Sequence, residues 1–101
     1  MGASHINISA AYRCLRQFDR ALEHANLALE IFQKSLPPYH PRIGWVFESI
    51  GLVYEQQDKL QEALLYLEKA LKIYRHTLHE THYYIYDVHE NIRRVSSKLQ
   101  S

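Results

Sequence analysis

The sequence repeats itself at a fixed offset of 42 residues, and this register constrains the fold more than any other feature. Ala21 is matched by Ala63, and Ala28 by Ala70. The same offset aligns larger residues without a gap: Ile8 with Ile50, Tyr12 with Tyr54, Leu22 with Leu64, Leu29 with Leu71, Ile31 with Ile73, Leu36 with Leu78, and His40 with His82. It continues into a third copy, in which Ile43 matches Ile85, Val46 matches Val88, and Ile50 matches Ile92. The register predicts a repeat protein of two full units followed by a single helix.

Within residues 47–70, the order of large and small residues is typical of two antiparallel helices joined by a short polar turn. Two helices approach closely only where a side chain is nearly absent, so we expect Gly51, Ala63 and Ala70 at the crossings. Larger side chains would fill the gaps between the crossings, namely Phe47, Ile50, Tyr54 and Leu67.

Apolar residues at helical spacing predict an all-α chain without strands. Pro37 and Pro38 should end the second helix, because neither can continue a helix interior, and Pro41 suits the first turn of the third. Asp58 and Gln61 fit a capping pair at the start of the fourth. The predicted helices lie near residues 3–16, 19–35, 41–57, 60–77 and 83–99.

Length and charge argue against several classes of protein. A chain of 101 residues is one domain with a modest core, and 47% hydrophobic residues with three glycines and three prolines indicate an ordered fold. The net charge of +1, from 12 basic and 11 acidic residues, supplies no field for nucleic acid or anionic membranes. The single Cys14 forms no internal disulfide, and no apolar run reaches the roughly 20 residues of a membrane span. The N-terminus has no signal segment, so we expect a cytoplasmic protein.

The connector before the third helix and the helix itself carry a more specific signature. The connector matches a Leu-Gly-Pro-x-His-Pro pattern, and the helix matches a Leu-Asn-Asn-Leu-Ala-x-x-Tyr pattern. The matching residues are Leu36, Pro38, His40 and Pro41, then Ile50, Gly51 and Tyr54, and in the first unit Asn7, Ile8 and Tyr12. Together with a 42-residue unit in place of the ordinary one of about 34, these residues resemble the kinesin-light-chain-like variety of tetratricopeptide repeat (TPR).

The resemblance implies a TPR-like right-handed array of antiparallel helix pairs, forming one domain over residues 1–101. Its parts would be repeat 1 at about residues 2–39, repeat 2 at about 40–80 and a capping helix at about 83–99. The third copy departs from the pattern, because Arg93 replaces the small residue equivalent to Gly51. A further helix could not pack closely over Arg93, so we interpret the last helix as a cap with a polar outer face.

In such an array the first helix of each pair lines a concave groove. The resemblance therefore implies a non-enzymatic module that binds a protein partner, presented as a peptide or a helix. The implied binding residues are Asn7, Arg13, Trp45, Glu48, Ser49, Leu52, Glu55, Asn91 and Arg94. These side chains could instead be merely the solvated helix faces, although Trp45 and Leu52 argue against full solvation. The alternative function is a purely structural segment that stacks on further repeats or on itself.

Acidic residues at groove positions predict the charge of the ligand. Chaperone-type TPR grooves hold a C-terminal carboxylate with Lys and Asn, whereas the corresponding positions here are Ile6, Glu48 and Glu90. We expect this groove to reject acidic C-terminal tails and to prefer Lys or Arg beside an apolar anchor. Glu48 and Glu55 are the acids expected to attract that positive charge.

Other candidate sites have less support. His76, His79 and His82 are three residues apart, which is compatible with a metal site or, as we prefer, with solvated and capping histidines. Cys14 has no neighbouring His or acid to activate it, and the glycines are scattered rather than gathered in a phosphate loop. We therefore predict no enzymatic activity, no cofactor and no metal.

Two apolar features complete the predictions. The cluster of Tyr83, Tyr84 and Tyr86 is expected to pack the last helix against the fourth, the alternative being a binding surface. Apolar residues at both ends of the array should lie partly uncovered, so that a second copy could bind there as a weak homodimer. These residues are Ile6, Ile8, Tyr12 and Leu15 on the first helix, and Ile85, Val88, Ile92, Val95 and Leu99 on the last. The alternative is that neighbouring segments of a longer protein cover these ends.

Overall fold

The computed structural model describes residues 2–100, with side chains from Ser4 onward, and contains five helices and no strand within that range. Met1 and Ser101, which the predicted domain includes, lie outside the described residues. The all-α prediction is confirmed, and each predicted helix is present with ends shifted by no more than two residues. The helices are α1 (Gly2–Cys14), α2 (Phe18–Ser35), α3 (Pro41–Gln56), α4 (Leu60–Thr77) and α5 (Tyr83–Gln100).

The turns after α1 and α3 have the same geometry, 42 residues apart. Arg16 and Asp58 both adopt left-handed backbone conformations, with φ of 61° and 65°. This conformation reverses the chain within three residues, so that α2 and α4 run back along α1 and α3. The predicted capping role of Asp58 is wrong, because its left-handed conformation places it before the N-cap of α4. Lys59 occupies that N-cap and makes no side-chain capping hydrogen bond.

The connectors before α3 and α5 also repeat each other. Nδ1 of His40 accepts a hydrogen bond from the backbone N–H of Arg42, and Nδ1 of His82 accepts one from Tyr84, both at 3.1 Å. Each histidine therefore satisfies a backbone donor in the first turn of a helix, as an N-cap residue does. The interpretation of His82 as a capping histidine is confirmed, and His40 has the same role at the start of α3.

Small residues lie where the paired helices cross. A Cβ added at Gly51 would lie 3.0 Å from Cγ of Leu67 and 3.1 Å from the backbone oxygen of Ala63, so the predicted close crossing is confirmed. A second close approach, which the sequence reasoning missed, is at Gly44, where a Cβ would lie 2.7 Å from Cε1 of Tyr74. The two glycines are seven residues apart and face the same helix, which allows α3 and α4 to pack along two full turns.

The apolar core is continuous from α1 to α5. One cluster of buried residues joins α1, α2 and α3 with Ile73 of α4, and a second joins α4 and α5. Phe47 and Tyr54 of α3 pack against both clusters and so connect them. Each helix is therefore held by its neighbours in the array, as expected for stacked repeats.

The side of α3 that faces α4 carries glycines. The equivalent side of α5 carries large residues instead. At the 42-residue offset, Tyr86 takes the place of Gly44 and Arg93 that of Gly51, and both side chains are exposed. The apolar row of α5 was expected to lie partly uncovered. This expectation is wrong for Ile85, Val88 and Val95, which are buried against α4. The bulk on its outer side favours the interpretation of α5 as a cap.

Candidate functional site

A cavity of about 350 Å³ lies among α1, α3 and α5. Because the helices alternate in direction, these three run the same way and present one continuous surface. The lining residues are Ile6, Asn7, Ala10 and Arg13 from α1, Trp45, Glu48, Ser49 and Leu52 from α3, Tyr74 from α4, and Tyr83, Tyr84 and Asp87 from α5. We call this cavity the groove.

Most of the predicted binding residues line the groove. These are Asn7, Arg13, Trp45, Glu48, Ser49 and Leu52. The other three, Glu55, Asn91 and Arg94, lie outside it and hold α5 to α3 through side-chain hydrogen bonds. The binding role of all nine residues stays a prediction.

Trp45 gives the groove an exposed aromatic wall. Its side chain is 36% exposed, whereas Leu52 on the next two turns of the same helix is half-buried. The Ser49 hydroxyl between them donates a hydrogen bond to the Trp45 carbonyl oxygen at 3.0 Å. Since that donor is used within the helix, the groove surface of α3 presents mainly apolar area to a ligand.

Glu48 is a buried carboxyl at the base of the groove, with only 7% of its surface exposed. The Tyr74 hydroxyl donates to its Oε1 at 3.1 Å, and Nδ2 of Asn91 donates to its Oε2 at 2.7 Å. Burial raises the pKa of Glu48 to about 7, with a further contribution from the neighbouring Asp87 carboxylate. Glu48 is therefore largely neutral in mildly acidic solution, unlike the permanently charged acid that the sequence suggests.

Glu55 is paired within the chain. Nε and Nη2 of Arg94 donate to its two oxygens at 2.6 Å each, and Nζ of Lys98 donates at 2.9 Å. These hydrogen bonds, chiefly those from Arg94, lower the pKa of Glu55. Since both oxygens are already engaged, Glu55 has little capacity left to attract a cation from a partner.

Removing this ion pair should loosen the attachment of α5. Glu55→Gln is expected to lower the free energy of unfolding by about 1–2 kcal/mol, a value that allows for solvent screening of the half-exposed cations. Urea denaturation at pH 7 measures the effect. The matched control is Glu30→Gln, which breaks the solvent-exposed pair with Lys34 and should cost no more than about 0.5 kcal/mol. Equal losses in the two variants would contradict the proposed importance of Glu55.

The tyrosines at the start of α5 are mostly exposed rather than packed. Tyr83 and Tyr86 are 68% and 64% exposed, so the expectation that they pack α5 against α4 is wrong. Of the three tyrosines, Tyr84 alone partly meets this expectation, since its ring centroid lies 5.5 Å from that of Tyr74 in α4. Tyr83 and Tyr84 line the groove instead, and only the spatial approach of α5 to α3 could have shown this.

Histidines of the segment from His76 to His82 contact neighbouring side chains instead of converging on a common metal site. His76 stacks on Tyr39 with ring centroids 3.8 Å apart, and His79 shares a hydrogen bond with the Thr81 hydroxyl. Over residues 2–100, no three His, Cys, Asp or Glu side chains are grouped as metal ligands. None of the five described helices has the length and apolar character needed to cross a membrane.

The first helix exposes part of its apolar surface. Leu15 is 66% exposed and Ile8 is also exposed, whereas Ile6, expected to be partly uncovered, is buried. The weak homodimer stays a prediction, which light scattering over a dilution series would check. A monomer at high micromolar concentration would rule it out, and loss of a dimer on Tyr12→Glu would place the contact on α1.

Comparison with known proteins agrees with the architecture. The family model of the tetratricopeptide repeat matches residues 1–76, so the chain belongs to the tetratricopeptide repeat family. Repeats of this family generally mediate protein–protein interactions.

Within the family, the chain is similar to a kinesin-light-chain-related protein and to a response regulator aspartate phosphatase. It is 35% identical over 69 residues, 68% of its length, to Protein KINESIN LIGHT CHAIN-RELATED 1 of Arabidopsis thaliana. It is 34% identical over 67 residues, 66% of its length, to Response regulator aspartate phosphatase I of Bacillus subtilis. The chain spans 11% and 16% of the lengths of these relatives.

A solved structure with the same fold comes from Podospora anserina and is described as a kinesin light chain with nearly identical TPR-like repeats. The match has a TM-score of 0.84 and 21% identity, and covers 97% of this chain and 46% of that one. At this identity the similarity concerns the fold alone.

Proposed function

We propose that the chain is a non-enzymatic interaction module whose groove binds an extended peptide segment of a protein partner. The observation that carries this proposal is the cavity shared by α1, α3 and α5, with the exposed Trp45 ring in its wall. An exposed tryptophan beside polar groups is a frequent anchor at protein interfaces, because its large surface is easily desolvated.

The lining suits a peptide because it contains both apolar and hydrogen-bonding groups. Ala10 and Leu52 offer apolar surface for a side chain of the ligand. The exposed Asn7 amide has both a donor and an acceptor, which together can bind a peptide backbone unit. A groove of this kind orders a segment of a few residues, as the peptide-binding grooves of other modules do.

The charges along the groove disfavour an acidic group in the part of the ligand that lies next to α5. Asp87 and Glu48 lie on that side, whereas Arg13 lines the groove from the C-terminal end of α1. An acidic C-terminal tail would place a carboxylate near two carboxyl groups, which costs electrostatic energy. We therefore expect such tails to bind poorly.

A displayed library of random 12-residue peptides, selected on the immobilised chain, tests this function. Peptides enriched on the unmodified chain should fail to bind a Trp45→Ala, Leu52→Ser variant. The matched control is Leu65→Ser, which removes an exposed leucine of α4 that does not line the groove, and it should keep full binding. Trp45 is the only tryptophan of the chain, so its fluorescence reports occupancy directly in solution.

Two outcomes would contradict the proposal. If no peptide is enriched on the chain above the level of the groove variant, the groove is not a peptide site. If enriched peptides bind the groove variant and the Leu65→Ser control equally well, binding occurs elsewhere. Circular dichroism of each variant establishes that it retains its helices.

A further inference from the structure

Two carboxyl groups share the α5 side of the groove without a cation. Among the described residues, no Lys, Arg or His forms an ion pair with Asp87 within 4 Å, and the two donors to Glu48 are the uncharged Tyr74 and Asn91 side chains. Arg94 acts on Asp87 only at longer range, since its own hydrogen bonds go to Glu55.

The charged and titratable groups around Glu48 come from every helix that borders the groove. Arg13 lines it from α1, Tyr74 faces Glu48 from α4, and Tyr83, Tyr84 and Asp87 lie on α5. None of the chain's histidines lines the groove. Among the described residues that line the groove, Arg13 is the only cation, and no described cation of α5 lies within ion-pair distance of the two carboxyl groups.

A buried carboxyl beside a second one is unfavourable in its charged form unless a positive charge compensates it. In the free chain a proton bound to Glu48 supplies this positive charge, since burial and Asp87 raise the pKa of Glu48 to about 7. A cationic side chain placed against the two carboxyl groups would compensate their negative charge as the proton does. Tyrosine rings beside such a site add attraction for a cation through their faces.

We propose that the side of the groove formed by Glu48, Asp87, Tyr83 and Tyr84, here called the carboxyl pocket, binds one lysine or arginine side chain of the peptide and releases the Glu48 proton to solvent. This inference rests on the proposed function and specifies its ligand. It differs from the sequence-based expectation, because Asp87 takes the place of Glu55 as the second acid.

The first test uses peptides enriched on the unmodified chain. They should share a lysine or arginine at a fixed distance from an apolar residue. Replacing that basic residue with norleucine, which keeps the alkyl stem, should weaken binding by about tenfold or more, as for a partly buried ion pair. The variants Glu48→Gln and Asp87→Asn should bind the lysine and norleucine peptides equally well. Glu23→Gln, which removes an exposed acid of α2, is the matched control and should keep the preference.

The second test measures the proton. Isothermal titration calorimetry at pH 7, in two buffers with different ionisation enthalpies, should detect release of about half a proton on binding of the lysine peptide. The same peptide should bind more tightly as the pH rises from 6 to 8. The norleucine peptide, or the Glu48→Gln variant, should show neither effect. Because no histidine lines the groove, a histidine-free peptide leaves Glu48 as the titrating group.

The outcomes separate the two proposals. Absence of any enriched peptide overturns the proposed function and this inference with it. Enriched peptides that bind the groove but lack a basic residue overturn the inference alone. So does an equal preference for lysine in the unmodified chain and in the folded Glu48→Gln and Asp87→Asn variants, or binding of the lysine peptide without proton release.

Discussion

Replacing Gly51 with leucine is expected to lower the free energy of unfolding by about 3 kcal/mol, the upper part of the range for overpacked cores. The added side chain would meet Leu67 and the backbone oxygen of Ala63, at 3.0 and 3.1 Å from the new Cβ alone. Leu67 can change rotamer, but the backbone of α4 cannot yield without moving the helix. Thermal and urea denaturation, followed by circular dichroism, measure the loss.

Gln56→Leu is the matched control for this variant. It introduces the same side chain into the same helix at an exposed position, where no neighbour is displaced. Its effect on the free energy of unfolding should stay within about 0.5 kcal/mol, as is usual for surface changes. If Gly51→Leu melted at the same temperature as the control, the close crossing of α3 and α4 would be disproved.

Replacing Glu48 with glutamine is expected to change the pH dependence of stability. The pKa of Glu48 is about 7 in the folded chain against an ordinary value of 4.5, so the folded state binds the proton more tightly. The stabilisation by this proton is fully present below pH 4.5 and is lost as the pH rises through 7. Between pH 5 and pH 8 the free energy of unfolding of the unmodified chain should therefore fall by about 2–3 kcal/mol relative to that of the glutamine variant.

Urea denaturation of both proteins at several pH values checks this expectation. The difference between the two curves isolates Glu48, because every other side chain is the same in both proteins. Glu55→Gln is a useful control, since the pKa of Glu55 is lowered and its contribution is lost only as the pH falls below 4.5. Its curve should therefore run parallel to that of the unmodified chain from pH 5 to pH 8. A parallel curve for Glu48→Gln would show that Glu48 is ionised in the folded chain at pH 5.

The repeat architecture could be predicted because its determinants are local or recur at one offset. Pro41 begins α3 and Gly51 marks the crossing, as their backbone properties require. Asp58 shows the limit of local rules, since its place in the chain suits a helix cap. The turn instead uses Asp58 as its left-handed residue, as the first turn uses Arg16.

The groove was predictable only in part, because its lining depends on which residues of distant helices meet. Trp45, Ser49 and Leu52 follow from the spacing of α3 itself. Tyr83 and Tyr84 become groove residues only when α5 packs beside α3. A pattern within one helix carries no information about that approach.

Glu48 and Glu55 occupy equivalent positions on α3 but differ in their electrostatic surroundings. Their spacing of seven residues places both on the same side of α3, and the sequence alone determines that much. Their pKa values differ because burial and the acidic Asp87 of α5 raise that of Glu48, whereas hydrogen bonds from Arg94 and Lys98 of α5 lower that of Glu55. A carboxyl group's pKa depends on burial and on charges within a few ångströms, and those are set by residues about 40 positions away in the chain.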